Sequence, residues 1–200
     1  MAFFKHLSLI SMAVVYDEYY QTENLFGAPY PELISFLSNY PTRGKLLDVG
    51  CGQGRDAIPI ARLGFDVTGI DNSKVGIEQM KQLSYRENLN VLGIVGDIYA
   101  YNVFKDFDFI LLDSMFHFLK KDRKKETSFI KKIIRDSKIG AIIIFCIQNT
   151  GNKVKILNGT IDFYTKIRRL LEKDLVYEYK DKQTGHSSKT NYKMIVISKH

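Results

Sequence analysis

The 200-residue sequence predicts a doubly wound α/β domain, with a mostly parallel seven-stranded sheet, helices on both faces and an antiparallel strand at the C-terminal end. Three observations carry that reading. From residue 45 onward, strand-like and helix-like runs alternate, as they do when a parallel sheet is covered on both sides. The strand-like runs are apolar without alternation, which suits strands buried on two faces. The first of them opens into a glycine-bearing turn that leads to a helical pattern, the usual ligand end of such sheets. No repeat of 20–50 residues and no linker divides the chain. It therefore reads as one domain over 1–200, with a possible extension at 1–15, a helical cover at 16–40 and a core at 44–199.

Each element has its own signal. Pro31 suits a first helical turn and opens a helix over 32–39 with Leu33, Ile34, Phe36 and Leu37 for its apolar face. Pro41-Thr42-Arg43-Gly44 breaks it, and a strand follows over 45–49. The next helix is expected from about 53 to 63 with Gly64 as its stop; Pro59 should kink it or delay its start. A strand over 65–71 leads to Ser73, which caps a helix to about 86. Strands over 91–95 and 107–113 precede a helix over 121–137 that turns Phe129, Ile130, Ile133 and Ile134 inward. A strand over 141–147, a helix over 160–171, and strands over 175–179 and 192–198 complete the order, the last two joined across a polar segment at 180–191.

Composition narrows the class. The hydrophobic share is 45% and the charged share 26%, ordinary for globular domains and wrong for a disordered or collagen-like chain. Cys51 and Cys146 form no C-x-x-C pair, and His6, His117, His186 and His200 are scattered. A metal site is not expected, and a reduced, cytoplasmic setting fits. An apolar run over 7–15 follows Lys5 and His6, but no A-x-A-type cleavage site follows it. It is shorter than the roughly 20 residues of a membrane span. Met12 is an alternative start. The net charge of +7 is uneven: 8 Lys+Arg against 11 Asp+Glu in residues 1–100, and 21 against 11 in 101–200. The basic excess centres on Lys120-Lys121-Asp122-Arg123-Lys124-Lys125, continued by Lys131, Lys132 and Arg135. Opposite an apolar stripe, such a run reads as a solvated face.

The chemistry concentrates in Asp48-Val49-Gly50-Cys51-Gly52-Gln53-Gly54-Arg55, between a predicted strand and a predicted helix. The spacing is G-x-G-x-G, not the dinucleotide G-x-G-x-x-G, whose third glycine would fall on Arg55. Asp48 and Asp56 place negative charge where a pyrophosphate would sit, so the turn favours a cationic ligand. Asp71 ends the second strand, where a carboxylate can accept both hydroxyls of a ribose. Asp97 ends the third, where it can accept from an adenine amine while Ile98 packs on the ring. Ribose, adenine and a cationic tail together describe S-adenosylmethionine.

These residues, with Leu46-Leu47, Val67-Thr68-Gly69-Ile70 and Gly96, resemble the cofactor motifs of class I S-adenosylmethionine-dependent methyltransferases. Among them the chain is most similar to small, lidless, metabolite-type enzymes, including the tellurite-resistance type. The resemblance implies Asp48 and Gly50 near the methionine moiety, Asp71 at the ribose, and Asp97 with Ile98 at the adenine. It also implies cofactor contacts from Cys51, Gly52, Gly54, Arg55, Asn72 and Asp113. Cys51 by itself reads as a small residue in a crowded turn.

The acceptor side is expected on Asp113-Ser114-Met115-Phe116-His117-Phe118. His117 is the best candidate base, because its ordinary pKa lies near neutrality; Asp113 is the second catalytic candidate. Phe116, Tyr16 and Tyr20 are candidates for substrate wall or cover. Several acceptor classes lack their motifs: there is no Pro-Pro after the fourth strand, and neither cysteine follows a proline. A small-molecule acceptor is expected, with a monomer or weak homodimer as the assembly. The alternatives are an RNA or protein methyltransferase using the basic half, and a non-catalytic cofactor-binding partner.

Overall fold

The computed structural model describes residues 16–22, 25–180 and 187–200. The apolar run at 7–15, Met12, His6 and His186 lie outside them. After a helical turn at 16–19, the chain forms α1 (Pro31–Ser38), β1 (Lys45–Val49), α2 (Ala57–Arg62), β2 (Asp66–Asp71), α3 (Lys74–Arg86) and β3 (Val91–Val95). It continues as β4 (Phe109–Asp113), α4 (Arg123–Asp136), β5 (Ile142–Gln148), α5 (Lys153–Ile161), β6 (Ile167–Lys180) and β7 (Ser187–Lys199). The sheet order is β3-β2-β1-β4-β5-β7-β6. All pairs from β3 to β5 are parallel, while β7 runs antiparallel to both β5 and β6. Strand order reverses between β1 and β4, so a crevice opens beyond their carboxyl ends.

Alternate strand residues feed two core layers. Leu46, Leu111, Ile144 and Val196 join Leu33, Leu37, Ile60 and Met80 on one face. Leu47, Ile110, Ile143 and Ile195 join Phe104, Phe129, Ile130 and Ile133 on the other. The inward stripe expected of α4 is thus in place. Because every central strand is buried on both sides, its sequence shows no polar alternation.

Three expectations need correction. The helix expected from residue 53 starts only at Ala57, and residues 52–56 form turns. Pro59 then falls in the first turn, where its missing N–H and fixed φ are tolerated. No helix spans 160–171. The helix lies earlier, at α5, where Thr160 Oγ1 donates to Ile156 O at 2.8 Å in its last turn. From Ile167 the chain is already strand, paired Ile167↔Lys199 to Lys180↔Ser187 with β7. Ile167, Leu170 and Leu171 carry helix-compatible spacing, but pairing to β7 overrides it. Of the polar stretch expected as a connection over 180–191, Lys180 already belongs to β6 and 187–191 to β7, because backbone pairing does not need a buried face there; 181–186 lie outside the described residues.

Gly69 in β2 shows how tightly the layers close. A Cβ there would meet Cys51 Sγ at 2.6 Å and Met80 Cε at 2.9 Å. We expect Gly69→Ala to lower the unfolding free energy by about 1–3 kcal/mol, the usual range for overpacking, measured by urea denaturation. An unchanged midpoint would mean that the turn and α3 shift freely.

Candidate active site at the strand ends

The glycine turn is dictated by backbone geometry. Gly50, Gly52 and Gly54 have φ of +78°, +51° and +82°, values that non-glycine residues seldom adopt. A Cβ on Gly50 would land on Met115 Sδ, and one on Gly52 on the Tyr20 hydroxyl. The N–H groups of Gly50 and Cys51 donate to Ile70 O at 2.7 and 3.2 Å, tying the turn to the end of β2. Cys51 is buried, as expected for a small residue in a crowded turn.

Asp71 belongs to that turn as well. Its Oδ2 accepts from Gly52 N at 3.0 Å and its Oδ1 from Ser73 N at 2.8 Å. Burial raises its carboxyl above the usual range, while these amides, with that of Asn72, pull the other way. The cap residue Ser73 accepts from Gly76 N and donates to Asp17 Oδ1 at 2.5 Å, which anchors the N-terminal turn on α3. Asp97 is exposed and accepts from Tyr99 N at 2.9 Å; Ile98 beside it is buried.

Beneath the turn, one guanidinium stands among three buried carboxylates. Arg55 reaches Asp56 through Nε and Nη2 at 3.2 and 2.8 Å and Asp113 through Nη2, with its Cζ 5.4 Å from the Tyr30 ring centroid. Asp113 Oδ1 also accepts from Ser114 Oγ at 2.8 Å. Burial pushes Asp113 up to about 7, with Arg55 opposing and Asp56 adding. Asp48 is 2% exposed, and its Oδ2 has no hydrogen-bond partner among the described residues. Burial, then Asp56 and Asp113, hold its carboxyl well above the usual range. The Tyr30 hydroxyl is the other buried orphan among the described residues. One positive charge does not neutralise three carboxylates, so the pocket accepts a proton or a cationic ligand.

The N-terminal segment and the loop after β4 are held by residues that sequence reasoning missed. Gln53 Nε2 donates to Thr22 O at 2.8 Å and Gln79 Oε1 at 2.6 Å, while its Oε1 accepts from Leu25 N at 3.0 Å. Gln79 donates to Tyr20 O at 2.7 Å. Tyr20 is buried over Gly52, and the Tyr16 ring lies 5.8 Å from it. After β4, Ser114 and Phe118 have φ of +57° and +50°, and strained backbone of this kind persists only when its surroundings enforce it. Glu126, buried on α4, accepts from His117 N at 3.0 Å and Phe118 N at 2.7 Å. Its signal was available: Glu126 occupies the apolar stripe of Phe129, Ile130 and Ile133. Phe116 is buried in the core layer and stacked on Phe118 at 5.9 Å, so it forms core rather than an open wall. His117 is exposed and faces a crevice with Arg123 and Lys153.

Sheet order, glycine turn and acidic strand ends together define a Rossmann-like methyltransferase fold. The chain belongs to the TehB family: the profile described as "Tellurite resistance protein TehB" matches residues 13–187. A probable S-adenosyl-L-methionine-dependent methyltransferase TehB of Haemophilus influenzae is 36% identical over 96 residues, covering 48% of this chain and 33% of that protein. The chain therefore matches about a third of that relative's length. A putative methyltransferase, YqeM, of Bacillus subtilis is 30% identical over 161 residues, covering 80% of this chain and 49% of the other. The crystal structure of Haemophilus influenzae TehB superposes with a TM-score of 0.69 at 22% identity, covering 95% of this chain and 68% of that one, a likeness of fold.

Two outcomes follow from the geometry. Asp71→Ala frees the amides of Gly52 and Ser73, so it should lower the unfolding free energy by about 1–3 kcal/mol in addition to any effect on ligands. A urea midpoint equal to that of the unsubstituted protein would remove Asp71 from the turn's support. The folded Asp113 pKa of about 7 exceeds the unfolded value of about 3.9. The folded state therefore holds the proton more tightly, and this group's contribution is lost as pH rises from about 4 through about 7. We expect Asp113→Asn to reduce the fall in urea midpoint between pH 5 and pH 8; an unaltered slope would place the titration elsewhere.

Proposed function

We propose that this chain transfers the methyl group of S-adenosylmethionine to a small-molecule acceptor, as a cytoplasmic monomer or weak homodimer. The observation that carries the reading is the unpartnered, buried Asp48 carboxylate at the glycine turn. It sits among more negative than positive groups, and a sulfonium ligand with an ammonium group supplies the missing charge. Asp71, whose oxygens retain acceptor capacity beside their amide bonds, would take the ribose hydroxyls. Asp97, with Ile98, would receive the adenine, with Asn72 beside them. Gly50, Cys51, Gly52 and Gly54 would carry the tight turn past the methionine moiety. Arg55 holds Asp113 and Asp56 in place around it.

When bound, the cofactor supplies an activated methyl group on sulfur. The chain then has to align an acceptor behind that carbon and exclude water. Alignment of this kind is worth up to roughly 7–11 kcal/mol. An acceptor that must lose a proton would give it to His117 or Asp113. Desolvation by the surrounding crevice, then the neighbouring Lys153, lower the His117 pKa, the direction that favours the proton-accepting imidazole. Support for a small acceptor comes from the cover, a short segment pinned by Gln53 and Gln79. It also comes from the basic helix, where Lys125, Lys131 and Lys132 lie over the rings of Tyr99, Phe163 and Phe104 at 3.6, 4.1 and 4.6 Å. Cations spent on aromatic faces make a poor track for phosphates. No helix among the described residues is long and apolar enough to cross a membrane.

Calorimetry should give binding of S-adenosylmethionine and its demethylated product and none of NAD; the reverse would sink the assignment. A radiolabelled methyl donor, offered with extract fractionated into metabolites, RNA and protein, should label the metabolites. Label confined to RNA, with steep salt inhibition, would favour the nucleic-acid alternative, and cofactor binding without any label would favour a non-catalytic partner. His117→Ala should lower turnover about 10²-fold or more if the acceptor is deprotonated there. Turnover near that of the unsubstituted protein would assign the reaction to alignment alone.

A further inference from the structure

A second concavity lies beyond β4 and β5, between the start of α4 and the start of α5. Its volume is about 290 Å³, and its lining includes His117, Arg123, Thr150, Asn152 and Lys153. We propose that this crevice is an anion site that takes the phosphate or carboxylate group of a small molecule.

Charge is the first argument. Arg123 and Lys153 converge with the imidazole of His117, and no carboxylate lines the crevice. Among the described residues the Lys153 ammonium hydrogen-bonds only to the neutral Gln148 side chain, and neither it nor Arg123 is ion-paired. The acids facing His117 are both on or at α4. Glu126 has each oxygen committed to a backbone N–H of the loop, and Asp122 stands at the helix start. Burial lowers the pKa of Lys153, and burial and then Lys153 lower that of His117. Arg123 and Lys153 carry like charge and disfavour a third charge on His117, and a bound anion relieves both effects.

The backbone adds to this. The nine-residue α5 starts at the crevice, and its N-cap residue Asn152 makes no side-chain cap. The amides of a helix start carry partial positive charge and accept anions. Thr150 and Asn152 add neutral donors. The volume sits at the lower end of the roughly 300–1,000 Å³ common for ligand sites, room for one small anionic group and not for a polymer strand. Only the occupant's identity as the methyl acceptor rests on the function proposed above; anion capture stands apart from it.

The test is a histidine NMR titration of the full chain, with inorganic phosphate or acetate against chloride at matched ionic strength. His117→Asn assigns the resonance. Phosphate should raise the His117 pKa saturably, by about half a unit or more (about threefold in proton affinity), and leave His200 in place. Lys153→Gln should raise the His117 pKa without phosphate and weaken the phosphate effect at least threefold. Arg123→Gln, on the exposed start of α4, should weaken it without changing the urea midpoint. Equal shifts with chloride, equal shifts at His200, or a response to oligoribonucleotide and not to phosphate or acetate would each overturn the site. S-adenosylmethionine calorimetry on the same samples reports on the cofactor reading separately.

Discussion

The strand-end crevice of this molecule is organised around one half-buried ion, the guanidinium of Arg55. It is the cation that separates Asp56 from Asp113 while Asp48 stands unpaired nearby. Like charges at these separations in a poorly hydrated layer cannot all be ionised without a counter-charge. Arg55 supplies part of it, and the remainder is left to a proton or a ligand. Its position draws in the chain on both sides. Tyr30, at the start of α1, lies under its face, and Asp56 begins α2.

That charge balance explains why turn, cover and loop are fastened so thoroughly. Asp71 holds the glycine turn by two amides, Asp17 fixes the N-terminal turn to Ser73, and Gln53 ties Tyr20, Thr22 and Leu25 to α3. On the far side Glu126 clamps the strained segment that follows Asp113. Each fastening is a polar group satisfied by backbone, which leaves few free conformations to order when a ligand arrives.

Much of this was legible in the chain. β1 and β3 fall where expected, Ser73 caps α3, and the α4 stripe faces inward, because burial on both faces and helical periodicity are local signals. The glycine spacing and the acids at 48, 71 and 97 read as a ligand end, and the structure gathers the glycine turn, Asp48 and Asp71 at the ends of β1 and β2. What escaped were features whose partners lie far off in sequence. The stretch 167–171 has helical spacing, yet β7 captures it; Glu126 and Gln53 act on loops reached only after folding.

The sequence alone determined the order of strands and helices, the turn that only glycines can make, and the surplus of acids around it. These depend on neighbouring residues, whose backbone preferences and apolar pattern are written in succession. The tertiary structure decided which acid is paired, which is left bare and which cations meet in the second crevice. Asp48, Asp56 and Asp113 look alike in sequence. Only their placement around Arg55 distinguishes a salt-bridged carboxylate from an orphan, because charge interactions depend on distance and burial, not on chain order.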